Sequence, residues 1–409
     1  MACLRIPRHA AASALLSLVL VPATACSGRV ATSVNVRPTD PPAAAGALAP
    51  RLSSFEDRVV LSWVEPDASG GAALRYAMRD GENWSPASTA AQDPQLAADG
   101  IDLPGVVVLS GGSLAAHWST KRVGSKYARE LAVAVSRDGG TTWSAPKRPY
   151  KDDTLTERGM ATLVPRSEPG QFGFVWLDGR AGVQSAYGDG GTGLYWADWN
   201  GESFNTDVEL DPRVCDCCKT AGALTPAGPL IAYRDRDEDE RRDTSIVRED
   251  GGRWLAPTPL HDDGWRLTAC PTNGPAAATR GDRAVVAWFT GAHAAPAVWA
   301  VLSMDGAKSF AAPVRVDDSS PSGRVDATVL PDGSAAIVWL EKHGERADVR
   351  VRRIDVTGRP AAAVGVAKTS AARSSGHPRV VSVGDREVLV AWTDAGPPMR
   401  VHAAVVTLP

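Results

Sequence analysis

The sequence predicts an all-β fold: a β-propeller of seven four-stranded blades, closed into a ring by a strand from the N-terminal region. Three observations predict it. First, short apolar segments ending in an aromatic recur seven times. They are VVLSW at Trp63, LAAHW at Trp118, GFVW at Trp176, LIAY at Tyr233, VVAW at Trp288, AIVW at Trp339 and LVAW at Trp392. The spacing is nearly constant along the chain. Each segment is short, β-branched or apolar, and bounded by Gly, Asp, Pro or Ser, which reads as a strand. Second, a further strand follows each segment and leads into a Gly turn and an aromatic, as in LRYAMRDGENW to Trp84 and LAVAVSRDGGTTW to Trp143. Third, no convincing helical period occurs. Four-stranded units of this length repeated in line are propeller blades.

Taken in chain order, residues 1–25 read as a leader. Arg5, Arg8 and His9 precede an apolar run, Ala10 to Val21, that is shorter than the ~20 residues needed to span a bilayer. Small residues then lead to Cys26. This pattern resembles the lipobox of bacterial lipoproteins, which implies lipidation of Cys26 and export to the cell envelope, on a periplasmic or outer-membrane face. Ordinary cleavage with an incidental Cys26 is the alternative. Residues 26–48 are small, polar and Pro-rich, suiting a tether that also carries the closing strand. Residues 49–409 form the propeller. The net charge is −3 and no basic stripe is present, which argues against nucleic acid as a partner. The chain is expected to be a monomer anchored to a membrane by its lipid.

The seventh unit has room for three strands only, because the chain ends at Pro409, soon after Trp392. An open sheet edge is a liability. The extended segment Thr32 to Arg37 is therefore predicted to pair with MRVHAAVV and close the ring. Six blades plus an irregular insertion is the alternative. The sixth turn, VRVRRIDVTGRP, reads as a decayed copy, with Pro360 where the aromatic should be.

Two turns share the spacing S-x-D-G-x-x-x-aromatic: Ser136, Asp138, Gly139 and Trp143, then Ser303, Asp305, Gly306 and Phe310. Asp138 and Asp305 can accept bonds from turn N–H groups. Gly139 and Gly306 can take a positive φ. Trp143 and Phe310 can wedge between sheets. Shorter variants run from Asp80 to Trp84, Asn200 to Phe204 and Asp250 to Trp254. These turns resemble the Asp-box, or BNR repeat, of bacterial sialidases and related propellers. The resemblance implies a fold shared by hydrolases, binding propellers and sensors. For a sialidase it also implies three arginines on a carboxylate, an Asp acid/base, and a Tyr beside a Glu. Tyr187, Tyr195 and Tyr233 are the candidate tyrosines. The first arginine of that family lies in an F/Y-R-I-P block. Here R-I-P occurs only in the leader, and Pro50-Arg51-Leu52 is the nearest later equivalent.

Candidate site residues follow from position in the blade. Counting back from each marker aromatic to the expected start of the innermost strand gives Asp102, Arg158, Cys218, Cys270, Arg324 and His377. Loops after the second strands give Glu65, Asp178 with Arg180, Arg234 with Asp235, Glu341 and Asp394. The catalytic candidates are Arg158, Asp178, Arg180, Tyr233, Arg234, Asp235 and Arg324. A mouth rich in Arg and Asp could clamp a glycan or other anionic ligand. The bland alternative is that these charges pair with one another. The run Glu238 to Arg242 reads as a solvated loop.

The segment RVCDCCKTAG holds Cys215, Cys217 and Cys218. CKTAG and CPTNG (218–222 and 270–274) share the pattern C-x-T-x-G, one repeat apart, which places Cys218 and Cys270 on neighbouring inner strands. Export favours a disulfide from Cys217 or Cys218 to Cys270. Convergent thiolates also suit Cu(I) or Zn(II), and a redox centre is the third reading. No cofactor is required by the sequence. The blocks CDCCKTA, AYRDR, DGW and CPTNGP resemble a group of exported sialidase-like bacterial proteins, which implies a fold and no established reaction. Three functions are compatible: a lipid-anchored propeller binding a ligand or partner at its channel mouth, a sialidase-type glycoside hydrolase acting on acidic sugars, and a periplasmic metal-binding protein.

Overall fold

The computed structural model describes residues 34–67, 71–97, 103–182 and 191–409. Asp102, Tyr187, Cys26, the leader and the first two residues of the expected closing segment lie outside the described residues. The rest forms seven antiparallel sheets.

The innermost strands, in chain order, are Leu48–Phe55, Gly105–Val108, Arg158–Pro165, Ala221–Thr225, Ala276–Arg280, Pro321–Val329 and Arg379–Ser382. Each pairs with a second strand that carries the marker aromatic. Second strands such as Phe172–Asp178 and Gly228–Arg234 are buried along their whole length. Up to the charged residue that ends each, Asp178 and Arg234, they are apolar runs because a neighbouring blade covers each face. Blade two has three named strands, with a single bridge from Val133 to Lys147 where a fourth would lie.

Blade seven closes the ring as expected. Asn35–Pro38 pairs antiparallel with Arg400–Thr407, Asn35 opposite Thr407 and Pro38 opposite Ala404. The closing strand thus extends one residue beyond the predicted Arg37. Seven apolar clusters each bridge two neighbouring blades. The cluster holding Trp63, Leu61, Leu389 and Val405 joins blade seven to blade one. Seven interfaces for seven blades is a closed ring, which removes the free edges an open array would expose. The six-blade alternative is excluded.

The turns behave as their chemistry predicts. Asp138 Oδ1 accepts from the Thr142 N–H at 2.9 Å and the Ser136 hydroxyl at 2.8 Å. Asp305 Oδ1 accepts from the Ser309 N–H at 3.0 Å and the Ser303 hydroxyl at 2.7 Å. Gly139 and Gly306 have φ of 70° and 73°. Trp143 meets Tyr76 edge to face at 5.9 Å, and Phe310 packs on the cluster between blades four and five. The decayed sixth turn keeps the device. Asp355 Oδ1 accepts from the N–H groups of Thr357 and Arg359 at 2.8 and 3.0 Å.

Candidate functional site at the channel mouth

Most of the predicted catalytic residues are consumed by structure. Arg158, Asp178 and Arg180 do come together, but in a closed network inside blade three. Asp178 is fully buried. It accepts from Arg158 Nε at 2.9 Å, Arg180 Nη2 at 2.6 Å, the Arg180 N–H at 2.9 Å and the Trp176 indole at 3.0 Å. Burial pushes its pKa up, yet the bonds from Arg180 and Trp176 and the charges of both arginines hold it below the usual carboxylate value. Arg158 also pairs with Asp152, and Arg180 with Asp207 at 2.7 Å. Each guanidinium covers an aromatic face, Arg158 on Tyr150 and Arg180 on Tyr195. Two cations and three carboxylates leave no spare charge to grip an anion.

The remaining candidates also have partners within the fold. Arg234 is 1% exposed and donates to the backbone carbonyls of Asn273, Arg242 and Phe289. Tyr233 donates to Asp211 Oδ2 at 2.5 Å, and burial and that carboxylate push its pKa up. Asp235 takes the Ser245 hydroxyl at 2.8 Å. Arg324 Nη1 donates to the carbonyls of Arg373 and Gly376, both at 2.9 Å. Glu65 and Glu341 do for their blades what Asp178 does: each accepts the indole N–H of the tryptophan two residues earlier, at 2.7 and 2.6 Å. A buried indole needs such a partner. Arg242 belongs to no solvated loop; it is buried, with Nη1 3.2 Å from Cys215 Sγ.

A tyrosine does lie beside a glutamate. Tyr195 donates to Glu209 Oε2 at 2.5 Å. However, the pair spans the third and fourth strands of blade three, away from the channel. Burial and Glu209 raise its pKa, the opposite of activation.

What lines the channel instead is a set of cations on different blades. A cavity of about 250 Å³ opens between the inner strands, lined by Arg51 from blade one, Lys219 ahead of blade four, Asp326 of blade six and Arg379 of blade seven. Arg51 Nη1 donates to the Leu103 carbonyl at 3.2 Å. Arg379 sits 3.5 Å from Asp326, which also accepts the Val380 N–H. Lys219 is buried and donates to the Pro275 carbonyl. Burial and the charges of Arg379 and Arg51, opposed by Asp326, bring its pKa down to about 7. His117 and His377 lie close by in the interior, and burial, then the charges of neighbouring cations, hold their pKa values well below the usual imidazole value. Among the described residues neither ring nitrogen of His377 has a hydrogen-bond partner.

Of these, Lys219, Asp326 and Arg379 escaped the sequence reading. They stand slightly nearer to their marker aromatics than the positions it selected, as does Arg51. For Arg51 and Asp326 the reason is a bulge at the start of the inner strand; the inner strands of blades four and seven pair without a slip. Register slips occur between Leu48 and Arg51, Gly159 and Thr162, and Gly323 and Asp326. Ala49, Met160 and Arg324 take positive φ at those slips. A bulge re-aims the residue after it, here into the channel. The signal available in the sequence was Lys219 itself, inside the repeated C-x-T-x-G motif.

That motif locks blades together. Thr220 Oγ1 donates to the Met160 carbonyl of blade three at 2.7 Å. Gly274 lies so close to Lys219 that a Cβ would fall 2.0 Å from its carbonyl oxygen. Asn273 bridges to blade six, accepting the Arg324 N–H at 2.7 Å. The cysteines meet as expected: Cys217 and Cys270 form a disulfide with Cα atoms 6.0 Å apart. Cys215 and Cys218 stay reduced and buried, their sulfurs 3.3 Å apart. Cys215 Sγ is also 3.8 Å from Cys217 Sγ. The hydrogen bond shared with Cys218 and the charges of Arg234 and Arg242 bring the Cys215 thiol down against the effect of burial, while burial raises that of Cys218. The sulfurs of Cys215, Cys217 and Cys218 are close enough that a metal ion could sit among them, but the disulfide takes one of the three.

No protein-family model matches the chain, and no curated protein does. Solved structures do. A protein of unknown function from Dyadobacter fermentans superposes with a TM-score of 0.53 at 14% identity, over 91% of this chain and 99% of that one. A leech intramolecular trans-sialidase, solved with 2,7-anhydro-Neu5Ac, superposes with a TM-score of 0.50 at 11% identity, over 84% of this chain and 82% of that one. An α-L-arabinofuranosidase of family GH93 from Fusarium graminearum gives 0.49 at 14% identity, over 91% and 97%. The likeness is one of fold: a sialidase-like β-propeller.

Proposed function

We propose that this propeller binds a small carboxylate-bearing ligand, such as an acidic sugar, at its channel mouth, and that a lipid on Cys26 anchors it to the cell envelope. The observation that carries the reading is the convergence of Arg51, Lys219 and Arg379 on one cavity, where Asp326 is the one carboxylate among the described lining residues. Basic side chains from three blades facing one cavity make it attractive to an anion. Lys219 makes the site pH-dependent. An anion favours its charged form, so binding takes up a proton wherever free Lys219 is neutral.

Binding takes precedence over hydrolysis because no tyrosine is among the described residues lining the cavity. The Tyr195–Glu209 pair lies in the outer strands. The test is calorimetric titration of the mature protein with N-acetylneuraminate and glucuronate at pH 6 and pH 8. Affinity should be higher at pH 6, falling at most about tenfold per pH unit above 7, the limit for one linked proton. Arg51→Gln and Arg379→Gln should each weaken binding about tenfold or more. Unchanged affinity in both variants removes the proposal. Release of the fluorophore from a fluorogenic sialoside would replace it with the hydrolase reading. The anchor is tested separately, by incorporation of labelled fatty acid that Cys26→Ser should abolish.

A further inference from the structure

The four cysteines are arranged in two layers. The outer layer is the Cys217–Cys270 disulfide, with Cys270 exposed. It opens on a second cavity, of about 330 Å³, lined among others by Arg129, Arg158 and Arg373. The inner layer is the reduced pair Cys215 and Cys218, 3.3 Å apart and buried. Cys215 touches both layers, since its sulfur is also 3.8 Å from that of Cys217. The Arg242 guanidinium lies 3.2 Å from the same sulfur, and a cation so placed favours the thiolate that attacks a disulfide. A purely structural disulfide needs no dithiol behind it.

We infer that these cysteines form a thiol–disulfide exchange site, in which the buried Cys215/Cys218 dithiol passes two electrons through the Cys217–Cys270 bond to a low-molecular-weight disulfide in the outer cavity. The sequence of bonds balances. The Cys215 thiolate attacks Cys217 Sγ; the Cys215–Cys217 bond forms, the Cys217–Cys270 bond breaks, and its electron pair leaves on Cys270, which takes the proton Cys215 gave up. Cys218 then attacks Cys215 Sγ. Cys217 leaves with that electron pair and takes the Cys218 proton. The inner pair is now oxidised to a disulfide and the outer pair reduced to a dithiol. The exposed Cys270 attacks the external disulfide and releases one small thiol. Cys217 closes on Cys270 and releases the second. The net reaction is oxidation of the inner dithiol and reduction of one external disulfide to two thiols. The first bond, between residues two apart, is too constrained to persist, so only the inner and outer bonds accumulate. A small ligand suits the size of the cavity.

The experiment uses the full mature chain with oxidised glutathione as the probe. Released glutathione is counted, the protein is trapped in acid, free thiols are alkylated, and the bonds are mapped by peptide mass spectrometry. The expected result is two glutathione thiols released per chain and a Cys215–Cys218 bond beside the Cys217–Cys270 bond. Cys270→Ser should lose the relay: the inner thiols should oxidise at least tenfold more slowly than in the unmodified protein. Two results overturn the inference. One is Cys215 and Cys218 remaining alkylatable, with no glutathione released, in protein that keeps its native circular dichroism. The other is inner oxidation at an unchanged rate in Cys270→Ser. If Cys270→Ser does not fold, Cys218→Ser is treated with oxidised glutathione instead and the attachment point is mapped: the relay predicts no glutathione on Cys215, which reaches the probe only through the outer bond, and glutathione on Cys215 beside an intact Cys217–Cys270 bond overturns the inference.

Discussion

At Asp178 one carboxylate satisfies four donors, from Arg158, Arg180 twice and Trp176. Such a group is hard to alter because its partners are buried with it. Asp178→Asn removes the charge that Arg158 and Arg180 share and puts an N–H₂ where an acceptor stood. Losing one partner of a buried ionic network costs about 3–5 kcal/mol, which urea unfolding should show as a lower midpoint at unchanged slope. Anion binding in the channel should be unaffected, because Asp178 is not among the residues lining that cavity. A variant that keeps full stability would mean that the network is looser than its distances imply. The same residue shows what was legible at this scale. Its neighbourhood with Arg158 and Arg180 could be read from the spacing of W-L-D-G-R and the inner strand. Its role could not, because a clamp and an ion network use the same side chains. They differ only in whether every charge already has a partner.

Turns are where sequence chemistry and structure agree most closely, since each is decided by a few adjacent residues. In the turn at 136–143, Asp138 holds two hydroxyls and a backbone N–H. Those bonds, with Thr142 first, bring its pKa down to about 2 from an ordinary 3.8. Asp305 is lowered in the same way by Ser309 and Ser303. A carboxyl whose pKa is depressed on folding adds stability that is complete above its unfolded value and is lost as pH falls through the folded one. The predicted loss therefore sets in below about pH 4 and continues toward pH 2. Asp138→Ala should flatten the thermal midpoint against pH across that window, relative to the unmodified protein, and lower the midpoint at pH 7. An identical acid profile in the variant would show that this turn does not tie folding to protonation. Bulges are the elements that the sequence hid. Ala49, Met160 and Arg324 occupy left-handed backbone without being glycines, so nothing in their identity announces the slip that turns Arg51 and Asp326 toward the channel.

The whole molecule depends on closure, because each blade is sandwiched by two others and none can bury both faces alone. Closure at blade seven rests on one short strand. Asn35–Pro38 pairs with Arg400–Thr407. The Thr39 N–H bonds the Ala403 carbonyl at 2.8 Å, and Asp40 takes the Ala403 N–H and sits beside His402. Arg37 reaches Glu82 of blade one at 2.5 Å, and the Trp84 indole donates to the Thr39 carbonyl at 2.8 Å. The segment therefore fastens the last blade to the first as well as filling out its sheet. Deleting residues 34–40 leaves Arg400–Thr407 as an open edge beside the Trp63 cluster between blades seven and one. Two consequences follow from that geometry. The thermal midpoint should fall by several degrees, since the loss includes backbone pairs and the interface they hold. The exposed edge should also recruit another strand, giving dimers or larger species in size-exclusion chromatography. The disulfide lies on blades away from this seam, so the Cys217–Cys270 bond should still form in whatever monomer remains. A truncated chain that elutes as a monomer with an unchanged midpoint would mean that the interface between blades one and seven closes the ring without the N-terminal strand.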